Sequence, residues 1–60
     1  MTDEERTAFI RTMVERLAAK LEENPADRAG WERLIRAYEV LGETDKAAAA
    51  KARLEALPAN

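Results

Sequence analysis

The chain has 60 residues, 47% of them hydrophobic, with 12 acidic against 10 basic side chains for a formal charge of −2. It contains no cysteine and no histidine, which excludes a disulfide framework and the usual zinc sites, so nothing covalent or metallic supplements a small core. The charges are dispersed, with no basic block of the kind a nucleic acid requires, and no apolar run approaches the roughly 20 residues of a membrane-spanning helix. A mini-domain with these limits depends on regular helix packing or on self-association. If self-association makes up the deficit, the expected state is a homo-oligomer.

The elements follow from period and punctuation. Thr2 with Glu5 three residues later forms a candidate capping box, and Asp3, Glu4 and Glu5 place negative charge at the positive end of a helix. Ile10, Met13, Val14, Leu17 and Leu21 then recur at spacings of three and four, with Phe9 and Ala18 widening the stripe. This predicts a first helix over 3–23, with Met13 in its core face and Glu15, Arg16, Lys20 and Glu22 on a solvated one. Asn24-Pro25 ends it, because proline disfavours helical geometry in the residue before it. Asp27 is the candidate cap of a second helix over 28–41. Gly30, in its first turn, costs about 1 kcal/mol relative to alanine.

Along that second helix Trp31, Leu34, Ile35, Tyr38 and Leu41 form one apolar stripe. Gly42 is placed to adopt the left-handed conformation that commonly ends a helix. A third helix is predicted over 45–57, capped by Thr44 and closed by Pro58. Its face of Ala47, Ala50, Leu54 and Leu57 is shallow enough for Trp31 and Tyr38 to pack against with the backbones close. The expected fold is all-α, three antiparallel helices forming one domain over 1–60, with no strand.

The residues from Pro25 onward resemble a tetratricopeptide repeat, a helical hairpin of about 34 residues. Trp31, Leu34, Tyr38, Gly42 and Ala47 fall on its signature positions in one register, and Pro25 falls where a preceding repeat would end. Ile35 stands where the motif has a small residue, Lys51 where it has an aromatic, Leu54 where it has alanine, and Pro58 comes one residue early. The resemblance implies about one and a half repeat-like hairpins.

A second resemblance spans nearly the whole chain. The run from Ile10 to Pro25, then Gly30-Trp31, Arg36-Ala37-Tyr38 and Leu41-Gly42-Glu43, is similar to the start of the repeat region in the cytochrome c biogenesis factors of the CcmI (CycH) family. What that family implies is a membrane-anchored, periplasmic parent whose repeat domain receives apocytochrome c, with the anchor and later repeats outside this sequence.

For chemistry the chain offers little. Glu4-Glu5 and Glu22-Glu23 are neighbours on helices and point apart, no glycine loop suits a phosphate, and Trp31 and Tyr38 have the spacing of core residues. No enzymatic activity, cofactor or metal is expected. The repeat resemblance implies a peptide-binding face on the second helix at Ala29, Glu32, Arg36, Glu39 and Val40. Glu32 stands where carboxylate-clamp repeats carry a basic or amide side chain, so a client with both charge and apolar anchors suits this face better. The expected partner is a protein or peptide client, by resemblance apocytochrome c. A structural segment that assembles with further copies through Phe9, Val14 and the flank of Ile35 is the alternative. A three-helix DNA-binding domain lacks its basic recognition helix here.

Overall fold

The computed structural model describes residues 1–59, which form three helices: α1 (Asp3–Glu23), α2 (Arg28–Val40) and α3 (Thr44–Glu55). Among the described residues there is no strand, as expected for an all-α chain. Consecutive helices run antiparallel, and the long α1 makes the molecule elongated, 42 × 20 × 14 Å.

Local chemistry sets the helix ends. Thr2 Oγ1 accepts from the Glu5 amide at 3.1 Å while the Glu5 carboxylate accepts from the Thr2 amide at 2.9 Å, completing the capping box. Those bonds favour the ionised carboxylate, and they lower the pKa of Glu5, the Thr2 backbone amide contributing most. At the far end the Asn24 amide donates to the Lys20 carbonyl at 2.9 Å before Pro25 turns the chain. Asp27 caps α2 by accepting from the Gly30 amide at 3.0 Å.

Gly42 has φ +74°, and its amide donates to the Glu39 carbonyl while the Glu43 amide donates to the Tyr38 carbonyl. This pair of bonds is the Schellman arrangement, which satisfies carbonyls that the end of α2 leaves free.

α3 begins one residue earlier than the sequence suggests. Glu43, not Thr44, is the N-cap residue, and no side chain caps the helix. The Glu43 carboxylate is engaged elsewhere, 3.0 Å from Arg11 Nη1 on α1 and 3.6 Å from Lys46 Nζ. The Arg11 guanidinium, more than any other group, lowers its pKa. α3 also stops at Glu55, short of Leu57. Leu57 precedes Pro58, whose ring excludes helical geometry from the residue before it, and the Leu57 amide turns back to Leu54 at 3.1 Å.

The core lies along α2. Trp31, Leu34 and Ile35 are buried between Val14 and Leu21 of α1 and Ala47 and Ala50 of α3. Leu21 and Leu34 are 1% and 2% exposed. Burial on that scale stabilises by about 1.5–3 kcal/mol per large side chain. The alanines let α3 approach the indole closely, so the large residues of α2 meet small ones as the sequence indicated. The Trp31 indole N–H is satisfied by the Pro25 carbonyl at 2.9 Å, which ties the first loop to α2.

Further sequence expectations need correction or extension. Met13 is 53% exposed rather than core, because it lines an open groove beside Arg33 and Ala37 of α2 instead of entering the contact between the helices. Val14 and Ile35 are buried at 6% and 8% exposed, so of the expected apolar edge only Phe9, at 57%, is available. Glu22 is not merely solvated: Arg53 of α3 reaches it through two bonds of 2.8 and 3.2 Å while its guanidinium lies 4.7 Å from the Trp31 ring centroid. Gly30 is more than a tolerated helix breaker. A β-carbon there would lie 2.6 Å from both Asp27 Oδ2 and Leu21 Cδ2, so the missing side chain is what lets α1 close onto the first turn of α2.

Candidate protein-binding face

α2 divides its residues by period. Trp31, Leu34 and Ile35 point inward, and Ala29, Glu32, Arg36, Glu39 and Val40 recur at three and four on the opposite side, all exposed. Val40, 73% exposed, gives the stripe an apolar end beside the turn at Gly42.

The structure brings part of this set together in one depression. Glu32, Arg36 and Glu39 border a shallow groove of about 290 Å³ whose floor is Ile35 and whose far wall is Lys51 of α3. Ala29 and Val40 lie on the same stripe but outside the groove. Lys51 Nζ sits 3.4 Å from Glu39 Oε2, an exposed pair. Two carboxylates and two cations therefore surround the small exposed remainder of Ile35, which is 8% exposed. Such a lining matches a peptide carrying both charge signs around an apolar anchor better than a ligand of one sign.

Lys51 is not among the binding-face residues that the repeat resemblance implies. Its signal was the departure itself: a lysine occupies the position where the repeat has an aromatic, and there it reaches across to α2 instead of entering a core. The remaining signature residues have structural placements. Trp31, Leu34 and Ala47 are buried, Tyr38 is half-buried between helices, Gly42 makes the turn, and Pro25 supplies the carbonyl held by Trp31. Among the described residues no buried polar or charged side chain occurs, and no group of three or more potential metal-ligating side chains gathers.

No family model matches the chain, and no solved structure does. Two curated relatives carry the similarity. Over 50 residues, 83% of the chain, it is 52% identical to the cytochrome c-type biogenesis protein CycH of Bradyrhizobium diazoefficiens. Over 43 residues, 72% of the chain, it is 51% identical to the protein of the same name from Rhizobium meliloti. The matched stretches are 14% and 11% of those proteins, so the chain is similar to a short piece of each. The resemblance to CycH is thereby shown over most of the chain.

Proposed function

We propose that this chain is a protein-interaction segment of a c-type cytochrome biogenesis factor, and that the outward stripe of α2 holds part of an unfolded apocytochrome c. The similarity to CycH supplies the process, and the groove of Glu32, Arg36, Glu39 and Lys51 around Ile35 supplies the contact surface. In this reading the segment works by holding a client, and its repeat-like hairpins stack with further helices of a periplasmic parent. No helix among the described residues is long and apolar enough to cross a membrane.

The observation that carries the reading is the mixed-charge groove. Both charge signs border one shallow groove above the nearly buried Ile35, and a client segment that carries both signs meets them. Titration of the labelled chain with a peptide from the C-terminal helix of an apocytochrome c tests it by backbone amide shifts. Saturable shifts at Glu32, Arg36, Glu39 and Lys51 are the expected result. Unmoved resonances at millimolar peptide, with the chain folded, would sink it.

The exposed Phe9 and Met13 favour a second reading, a scaffold segment that assembles with copies of itself and holds no client. A mass that rises with concentration in sedimentation, together with a silent peptide titration, would select that reading.

A further inference from the structure

A second groove runs on the other flank of α2, where α1 crosses it. Its floor is Ile10, Met13 and Leu17 of α1 with Ala37 of α2, and its volume is about 580 Å³. The charged residues that line it are Arg16, Lys20 and Arg33, with no carboxylate among the lining side chains. On a chain of net charge −2 that is a local inversion of sign. The ion pairs formed among the described residues use Arg11, Lys46, Lys51 and Arg53 instead, so among the described residues the three cations of this groove have no carboxylate within 4.0 Å.

We propose that this furrow is a docking site for an amphipathic helix of a partner protein, with an apolar stripe bordered by Asp and Glu. Shape argues for a helix. Two antiparallel helices leave a furrow parallel to their axes, and Ile10, Met13 and Leu17 follow one another over two turns, matching the spacing at which a docked helix presents its anchors. Charge argues for acidic flanks, since Arg16, Lys20 and Arg33 border the apolar floor and pair with no carboxylate among the described residues. It also argues against a second copy of this chain. A two-fold contact through one surface sets that surface against itself, and here it would bring like charges together. A concave furrow is likewise a poorer match to a flat lipid surface than to a cylinder. This surface shares no lining residue with the groove at Glu32, Arg36 and Glu39, so the two readings fail independently.

The test uses the whole chain and two synthetic helical peptides that share one leucine stripe, flanked by Glu in the first and by Lys in the second. At low salt the Glu peptide should shift the amides of Met13, Leu17, Arg33 and Ala37 saturably and bind about tenfold tighter than the Lys peptide, a margin that three exposed charge pairs can supply. Raising the salt should narrow that margin through screening. Charge reversal in R16E/K20E/R33E should invert the preference, and if that variant does not fold, the two peptides on the unaltered chain still decide. Equal binding of both peptides, shifts confined to Glu32, Arg36 and Glu39, or a doubling of mass without peptide through the Met13 face would each overturn the proposal. So would equal protection of the Met13 face by anionic vesicles and by the Glu peptide.

Discussion

Two glycines show how different the demands on one residue type are. At Gly30 the backbone is helical, and alanine would ordinarily gain about 1 kcal/mol of helix preference. The structure reverses that expectation, because the new methyl would press on the Asp27 cap and on Leu21, and overpacking of this kind costs about 1–3 kcal/mol. Gly30→Ala should therefore lower the midpoint of thermal unfolding, and a raised midpoint would show that Leu21 and Asp27 yield without cost. At Gly42 nothing lies within 4 Å of a β-carbon, and only the left-handed backbone objects. Gly42→Ala should cost about 1–2 kcal/mol, with Gly42→Asn milder, both read from denaturant melts. The role of Gly42 was legible in the sequence, since a glycine after a periodic run has a local cause. That of Gly30 was not, because its cause is Leu21 on another helix.

The same division separates the elements that the sequence defined from those it placed loosely. Thr2, Glu5, Asp27 and Pro25 act on neighbours a few residues away, and the starts of α1 and α2 follow from them. At the start of α3 the N-cap residue Glu43 directs its carboxylate to Arg11, 32 residues distant, a contact that no spacing rule contains. The binding stripe divides likewise: Glu32, Arg36 and Glu39 follow from helical period, whereas Lys51 joins them only through packing. Glu5 and Glu43 both ionise more readily in the folded chain than their ordinary value of 4.5 allows. Their stabilisation is thus present above that value and is lost as pH falls through the lower folded values. Melting temperature should decline below about pH 4.5, and less steeply in a Glu5→Gln/Glu43→Gln variant; an unchanged acid limb would mean that other carboxylates govern it. The Glu22–Arg53 bridge between α1 and α3 is solvent-exposed, so a double-mutant cycle on it should return a coupling below about 1 kcal/mol.

For the molecule as a whole, α2 is the common partner of the other two helices, and stability concentrates there. Leu34, 2% exposed at the centre of that core, is the side chain whose loss should be felt most. Truncations of this kind cost about 2–5 kcal/mol, while a core on a chain this short supplies only about 3–5 kcal/mol in total. Leu34→Ala should abolish the cooperative thermal transition at moderate temperature, as followed by far-ultraviolet circular dichroism. A sharp transition retained near the original midpoint would place the stabilising core elsewhere. By contrast the N-terminal half of α1, before Val14, contributes no fully buried side chain, and its exposed Phe9 and Met13 leave it free to meet another surface.

Trp31 is the sole tryptophan, and each of its polar or electrostatic contacts belongs to a different part of the chain. Its N–H is held by the loop after α1, its ring is covered by a guanidinium from α3, and that guanidinium is held in turn by Glu22 near the end of α1. The protein consequently carries a native optical gauge at its hub. Emission from this one indole should register the departure of either neighbouring helix, so loss of the native packing can be followed by light without attaching a dye.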